Sequence, residues 1–165
     1  MSQQSTTATV RAVRVDEGDI SRLGGVQDRF IIDGHESGQR FALVEHRFDP
    51  RALAAPMHRH RNEDEYSIIV EGRMGAVLGG TEVFGTAGDV IFKPRDQWHT
   101  FWNAGDEPLV VLELISPAGL ERLFRAFAEE PDPDPGRLAE MAAEYGCELS
   151  FETTMPVVEK HGLRM

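Results

Sequence analysis

Short runs in which apolar and polar residues alternate, separated by glycine, extend from about residue 8 to residue 116. A period of two is typical of half-buried strands, and many short strands with no helix between them predict an antiparallel barrel or sandwich. Gly79-Gly80 gives the strongest hairpin signal, because a two-residue primed turn requires a positive φ at both positions. The predicted strands are Val10–Val15, Phe30–Asp33, Phe41–Phe48, Tyr66–Val70, Gly75–Leu78, Thr81–Phe84, Val90–Phe92, His99–Trp102 and Leu109–Ile115.

Helical spacing replaces this alternation after residue 117. A first apolar stripe recurs at i, i+3, i+4 and i+7 and consists of Leu120, Leu123, Phe124 and Phe127. After a proline-rich break at 131–135, a second stripe consists of Leu138, Met141, Ala142 and Tyr145, and Gly146 is suited to end that helix. We therefore expect one all-β domain over 1–165, with a barrel over about 8–116 and a C-terminal helical extension over 117–165.

Composition and charge exclude several classes of binding partner. The chain has 17 Lys and Arg against 28 Asp and Glu, a formal net charge of -11 with no basic patch, so we expect no nucleic acid and no membrane as partner. The polar start, Met1–Thr7, lacks the features of a signal peptide, and the apolar runs are far shorter than the ~18 residues of a membrane helix. The lone Cys147 cannot form an internal disulfide. We expect a cytoplasmic protein that acts on a small-molecule substrate.

Three histidines and one glutamate stand out as candidate metal ligands. His58 and His60 are two residues apart, so an extended strand would present both imidazoles on one face. Glu65 has the opposite parity, so the polar run 61–64 must bend for it to return to that face. His99 opens a later strand and can reach the same point only if the sheet closes on itself. Such a set favours one divalent transition metal, Fe, Mn, Ni, Co, Cu or Zn, with open positions for substrate or dioxygen.

Other interpretations of these residues stay open. The flanking charges also permit a solvated loop in which the two early histidines bind nothing, and only the second block, with His99, favours the metal. Glu63 or Asp64 could replace Glu65 as the carboxylate ligand. The spacing favours Glu65, and the other two carboxylates are interpreted as surface charges.

Two blocks of the sequence resemble the motifs of the cupin superfamily. The first block consists of His58-x-His60, four residues, Glu65, six residues and Gly72, with Ala52 where the family has its leading glycine. The second block consists of Gly88, Pro94, His99 and Asn103 at the family's spacing, with Asp96 in place of an inner glycine. Aspartate is among the few residues that tolerate a positive φ at such a turn.

The resemblance implies a small antiparallel jelly-roll barrel in which His58, His60, Glu65 and His99 hold the metal. It further implies an enzyme similar to the single-domain quercetin-type dioxygenases, acting on a planar, enolic or catechol-like substrate. Glu65 would then be the catalytic residue, a ligand able to loosen and accept a substrate proton. Isomerase, lyase or cyclase chemistry at the same metal stays open, and so does a non-catalytic barrel that binds a small ligand around a structural metal.

Strand parity also predicts the walls of the pocket. His46 lies on the apolar face of its strand and should point inward, either as a core histidine with a satisfied partner or as an acid/base group of the pocket. Phe101 has the parity of the ligand histidine in its strand and should line the cavity, whereas Trp98 and Trp102 face away. The abundance of apolar residues around the ligands predicts a pocket for a hydrophobic or planar molecule.

The outward face of the predicted strand Tyr66–Val70 indicates contact with a second copy of the chain. Tyr66, Ile68 and Val70 alternate with Glu65 and should lie on the outside of the barrel. Apolar outward positions on a small barrel are commonly covered by a second copy or by terminal helices, so we expect a homodimer.

Overall fold

The computed structural model describes residues 10–130 and 132–165, so the polar start of the chain and the first two residues of the predicted barrel lie outside it. Within these ranges the chain forms eleven strands and three helices. The strands are β1 (Asp19–Leu23), β2 (Val26–Ile32), β3 (Ala42–Phe48), β4 (Met57–His60), β5 (Asp64–Glu71), β6 (Arg73–Leu78), β7 (Thr81–Thr86), β8 (Val90–Lys93), β9 (His99–Asn103), β10 (Leu109–Ser116) and β11 (Cys147–Ser150). The helices are α1 (Glu121–Glu129), α2 (Pro135–Glu144) and α3 (Phe151–His161).

Two antiparallel sheets form the barrel. The six-stranded sheet has the order β1-β2-β3-β10-β5-β8, and the five-stranded sheet has the order β11-β4-β9-β6-β7. The chain passes from one sheet to the other at every connection from β3 to β11 except the β6–β7 hairpin, as in a jelly roll. The predicted all-β jelly-roll barrel with C-terminal helices is confirmed. Inward-facing residues of both sheets form one buried core, which includes Phe48, Ile69, Met74, Phe101, Leu109 and Val111.

The β6–β7 hairpin forms at the predicted turn. Leu78 pairs with Thr81, so only Gly79 and Gly80 connect the two strands. Their φ angles are 54° and 84°, both in the region that glycine adopts without strain. The hairpin predicted from the glycine pair is confirmed.

The outer face of the five-stranded sheet is covered by α3. Trp102 on β9 is fully buried there, with its ring 4.6 Å from that of His161. Gly75 on the adjacent β6 makes room for the indole, because a Cβ at Gly75 would lie 2.4 Å from Trp102 Cε2. The C-terminal helix therefore supports, from outside, the sheet that carries the three candidate histidine ligands. Within the described ranges, no helix has the length and apolar character needed to cross a membrane.

The predicted strand Val10–Val15 is wrong. The described residues before Asp19 contain no strand, and Val10 and Val15 are 99% and 85% exposed. The edge of β2 that this segment would need is taken by β1, which folds back so that Leu23 pairs with Val26. A valine-rich composition alone does not identify a strand, because a strand also needs a neighbour with a free edge.

The C-terminal region is not helical throughout. Both predicted helices are present as α1 and α2, but β11 lies between α2 and α3. It pairs antiparallel with β4 and places Cys147 opposite His60. Four residues are too few to show a period, which is why the sequence pattern did not indicate this strand. The segment after the barrel thus adds the outermost strand of the five-stranded sheet.

Candidate metal centre

Strands from both sheets bring three histidines and a glutamate to one point in the barrel. His58 and His60 lie on β4, and His99 opens β9 directly opposite His58. Glu65 lies on β5 of the other sheet, because the chain bends between His60 and β5 as the parity of the sequence predicts. All four side chains are buried, and one nitrogen of each imidazole and one carboxylate oxygen lie within 4.8 Å of one another.

Backbone carbonyls fix the tautomer of each imidazole. A carbonyl oxygen can only accept a hydrogen bond, so Nδ1 carries the proton in all three neutral rings and Nε2 keeps its lone pair. Histidine ligands are commonly oriented by such a bond from the nitrogen that does not bind the metal. The acceptors are all backbone carbonyl oxygens. His58 Nδ1 donates to that of Pro56 at 2.8 Å, His60 Nδ1 to that of Glu63 at 2.8 Å and His99 Nδ1 to that of Gln97 at 2.9 Å.

The centre of the cluster contains polar atoms with no hydrogen-bond partner among the described residues. These atoms are Nε2 of His60, Nε2 of His99 and Oε2 of Glu65. The two nitrogens lie 3.2 and 3.4 Å from that oxygen, but in this tautomer neither carries a proton to donate. Buried polar atoms without partners cost free energy unless something binds them. Three imidazole nitrogens and a carboxylate suit a borderline divalent transition metal, so a metal ion fits the residues present.

The environment favours the ligating protonation state of His58 and Glu65, whereas at His60 the adjacent Glu65 carboxylate outweighs burial and raises the pKa. Burial and the adjacent imidazole of His99 hold the pKa of His58 well below its ordinary value, which favours the neutral ring. Burial alone would raise the pKa of Glu65, but the positive charge of the adjacent Lys93 ammonium outweighs it, and the pKa lies well below its ordinary value. The carboxylate is therefore ionised, as a metal ligand must be.

A fully buried lysine lies beside the cluster. Nζ of Lys93, on β8, is 3.1 Å from Glu65 Oε2 and 3.0 Å from Glu113 Oε2. The ammonium also lies 3.9 Å from the ring centre of Phe101, and the Ser67 hydroxyl donates to Glu113 Oε2 at 2.8 Å. Lys93 thus holds Glu65 as a fixed anion, which suits a ligand and makes the carboxylate a weak proton acceptor.

The two carboxylates next to Glu65 stay outside the cluster. Asp64 pairs with Arg95 at 2.8 Å and is turned away from the barrel interior. Glu63 is only 5% exposed, and its Oε2 lies 3.9 Å from His60 Nδ1, the nitrogen that does not face the cluster centre. The interpretation of Glu63 as a surface charge is wrong, because the loop after β10 covers it at Gly119, and burial raises the pKa of this carboxyl.

The turn that lacks the inner glycine keeps its shape. Asp96 adopts a φ of 61°, as its tolerance of the left-handed region predicts. Its backbone N–H donates to the carbonyl oxygen of His60 at 2.9 Å. The second motif is therefore tied directly to the first, next to a candidate ligand.

An apolar cavity of about 80 Å³, here called the inner cavity, adjoins the cluster. His58 and Glu65 contribute to its lining, together with His46, Phe101 and Phe124. The structure thus places both predicted lining residues, His46 and Phe101, in this wall. The His46 ring is buried, with Nδ1 2.7 Å from Oδ1 of Asp28 on β2.

Comparison with known proteins supports the fold assignment. Residues 44–115 match the family described as Cupin domain, and this segment contains all four clustered side chains. This match and the jelly-roll fold support assignment to the cupin superfamily. A solved structure, KdgF from Halomonas sp., superposes with a TM-score of 0.61 and 21% identity, covering 69% of this chain and 99% of that one. At that identity the likeness supports the fold alone, and it agrees with the jelly roll described above.

Two curated relatives match about half of this chain at higher identity. Gentisate 1,2-dioxygenase from Ralstonia sp. is 35% identical over 88 residues, which are 50% of this chain and 24% of that protein. Tetracenomycin polyketide synthase protein TcmJ from Streptomyces glaucescens is 31% identical over 78 residues, which are 47% of this chain and 52% of that protein. The chain therefore spans about a quarter and about half of the length of these two relatives.

Three charged residues around the cavity were not predicted from the sequence. Glu113 interrupts the apolar run Leu109–Ile115 at an inward position, and Lys93 has the inward parity of Ile91. A charged residue on a core-facing position is unusual, so the sequence alone could have indicated both as candidate functional residues. Asp28 lies before the predicted start of its strand. Its role as the partner of a histidine on the adjacent strand depends on the β2–β3 register, which no local pattern indicates.

Proposed function

We propose that this cupin is a divalent-metal-dependent enzyme whose metal is held by His58, His60, Glu65 and His99. The observation that carries the proposal is the set of inward lone pairs: Nε2 of His60 and of His99 have no hydrogen-bond partner among the described residues, and they face Oε2 of Glu65, which is held by an ion pair with Lys93. These atoms face one another beside an apolar cavity. A metal bound there would supply Lewis acidity toward an enol or catechol-like oxygen.

Each protein group around the metal has a distinct part in this proposal. The three carbonyl acceptors hold the imidazoles in the ligating tautomer, and Lys93 keeps Glu65 ionised and fixed. Phe101 and Phe124 exclude water from the inner cavity and offer flat surfaces to a planar substrate. The role of Glu65 as proton acceptor stays a prediction, and its pairing with Lys93 weighs against it.

Dioxygenase chemistry is our first candidate for the reaction. Its support is the 35% identity with gentisate 1,2-dioxygenase, together with an apolar cavity suited to a planar, enolic substrate. Within this candidate we propose the quercetin-dioxygenase type, because its single-domain members also use one small barrel. Non-redox isomerase or cyclase chemistry is the second candidate, and the relative named as a polyketide synthase protein favours it. A structural metal in a non-catalytic binding barrel is the third.

Metal analysis followed by oxygen uptake tests the proposal. We expect protein purified without an affinity tag to contain about one divalent metal ion per chain, and a panel of flavonols, catechols and enediols to include one that consumes oxygen. Absence of metal from a folded wild-type protein would refute the metal enzyme. Metal without oxygen uptake on any member of the panel, but with conversion of a substrate, would select the non-redox candidate, and binding without conversion would select the binding barrel.

A second apolar space adjoins the inner cavity and indicates room for a larger substrate. This outer chamber has a volume of about 280 Å³, and Leu23, Ala54, Ala55 and Phe127 line both spaces. Leu138 and Phe151 line only the outer chamber. A planar group beside the metal could therefore extend its apolar part into this chamber.

Filling the outer chamber should discriminate ligands by size. We expect Leu138→Trp to weaken binding of a three-ring flavonol by about tenfold, because the indole takes the space of the distal ring, and to change catechol binding by less than about twofold. Calorimetric titration of zinc-loaded protein measures both affinities. Met155→Trp, on an exposed position of α3, is the matched control. Equal effects on both ligands, or on neither, would contradict a substrate that occupies the two spaces.

The homodimer and the cytoplasmic location also remain proposals. The outer face of β5 and β8 is apolar: Tyr66 stacks on Phe92 with 4.9 Å between ring centres, and Val70, Val90 and Phe92 are about half exposed. We propose that a second copy covers this face. Light scattering should give twice the 18.4 kDa mass of one chain, and a mass near 18.4 kDa at micromolar concentration would contradict it.

A further inference from the structure

A second titratable pair faces the inner cavity and is not part of the ligand set. Asp28 on β2 and His46 on β3 are directly opposite each other in the antiparallel register. His46 Nδ1 lies 2.7 Å from Asp28 Oδ1, a hydrogen bond in which the carboxylate accepts. Both residues line the same cavity as His58 and Glu65.

The orientation of His46 leaves one nitrogen for a ligand. Its Nδ1 is engaged by Asp28, and Nε2 makes no hydrogen bond to any residue that the structure describes. The ring is packed among aromatic side chains, with centroid distances of 5.5 Å to Phe124, 6.0 Å to Phe48 and 6.4 Å to Phe101. A buried carboxylate–imidazole pair with a free Nε2 in a cavity wall is the arrangement that proton transfer requires.

We propose that His46 is a catalytic acid whose Nε2 donates a proton to an oxygen of the substrate bound beside the metal cluster, with Asp28 as its positioning residue. The proposal rests on the proposed function, because the substrate oxygen is brought there by the metal. In the step, the Nε2–H bond of the imidazolium breaks and an O–H bond forms on the substrate. Neutral His46 then regains its proton from water, and no oxidant or reductant is involved.

The charges around His46 favour the protonated ring. Burial alone would lower its pKa, but Asp28 opposes this through charge and hydrogen bond. Glu113 on β10 adds to the rise and Lys93 on β8 reduces it, and the net result is a pKa above the ordinary value of histidine. Across the cavity the other titratable groups are His58 and Glu65 of the cluster. A group with a raised pKa is charged below that pKa and loses its proton as the pH rises through it.

Binding of an enolate to zinc-loaded protein tests this role without turnover. Squarate is a planar enolate dianion that is already ionised at mildly acidic pH, so its own titration does not enter. For the wild type we expect tight binding at low pH and a loss of affinity as the pH rises through the pKa of His46. His46→Gln should weaken squarate binding at least tenfold at low pH and remove that loss, with unchanged zinc content.

Asp28→Asn separates proton donation from a structural role. Without the carboxylate the pKa of His46 falls, so the loss of squarate affinity should move to lower pH, and nitrogen NMR of the histidine rings should show the same shift. Ionisation of a zinc-bound water would produce a loss that this substitution does not move. His35→Gln, at an exposed position, is the matched control and should behave as wild type.

The possible results distinguish failure of the proposed metal enzyme from failure of the proposed role of His46. Wild-type protein that holds no zinc refutes the proposed function and, with it, this role. Zinc-loaded wild type that does not bind squarate, His46→Gln that binds it as tightly as wild type, or a pH profile that is unchanged in Asp28→Asn would overturn the role of His46 and leave the metal site intact.

Discussion

Replacing His58 and His99 together with alanine is expected to abolish metal binding while the barrel stays folded. Two of the four ligand atoms disappear, and the affinity should fall by more than the ~10–100-fold that loss of a supporting contact alone costs. Metal analysis after dialysis measures the effect, and circular dichroism and thermal unfolding report on the fold. The single variant His35→Ala, at an exposed histidine, is the matched control.

The barrel should survive this change because the histidines are not its core. The main apolar cluster is built from other residues of both sheets, including Phe48, Met74 and Val111. Removing His99 also removes a buried nitrogen, Nε2, that has no hydrogen-bond partner among the described residues. A folded double variant that retains a full equivalent of metal would show that the ligand assignment is wrong.

Replacing Lys93 with methionine should lower the free energy of unfolding by about 3–5 kcal/mol in chelator-treated protein. The ammonium pairs with both Glu65 and Glu113, whose side chains are 3% and 0% exposed, so its loss leaves two carboxylates buried without a countercharge. Urea denaturation at about pH 8 measures the difference. Lys160→Met, at a lysine whose side chain is 63% exposed, is the matched control and should change stability by less than about 1 kcal/mol.

The pH dependence identifies the cause of this loss. Without Lys93, burial raises the folded-state pKa of Glu65 above that of the unfolded chain, and the pKa of Glu113, which burial already raises, moves further in the same direction. These carboxyls therefore take up protons on folding as the pH falls. The deficit relative to wild type should therefore shrink between about pH 8 and pH 5. Adding Glu113→Gln to the Lys93 variant removes one uncompensated charge and should recover part of the stability. A deficit that is independent of pH and unchanged in the double variant would indicate lost packing instead.

Much of the candidate site could be predicted because its signals are local. The spacing of His58 and His60, the opposite parity of Glu65 and the position of His99 at a strand start all follow from the two-residue period of a strand. The positive φ of Asp96 is likewise a property of one residue type. From these local features and the resemblance to cupin motifs, the sequence predicts that the four side chains meet inside a barrel. The structure places one ligand atom of each within 4.8 Å of the others.

The features that were missed depend on which strands become neighbours. Val10–Val15 is rich in valine, as strands often are, but β1 occupies the edge that this segment would need. The strand β11 is too short to have a period and forms because β4 offers an edge. Glu63 looks like a surface charge beside Asp64, and only the loop after β10 buries it. Pairing, register and covering loops are long-range properties, so a single sequence does not show them.

The pairing of β11 with β4 determines when the site can be completed during synthesis. Both motifs lie within residues 52–103, yet the strand that flanks His58 and His60 on its outer side comes from residues 147–150. A nascent chain that has already released both motifs from the ribosome still exposes the backbone edge of β4. Closure of that edge is therefore a late event, and until then the segment carrying two of the ligands is open to pairing with another nascent chain.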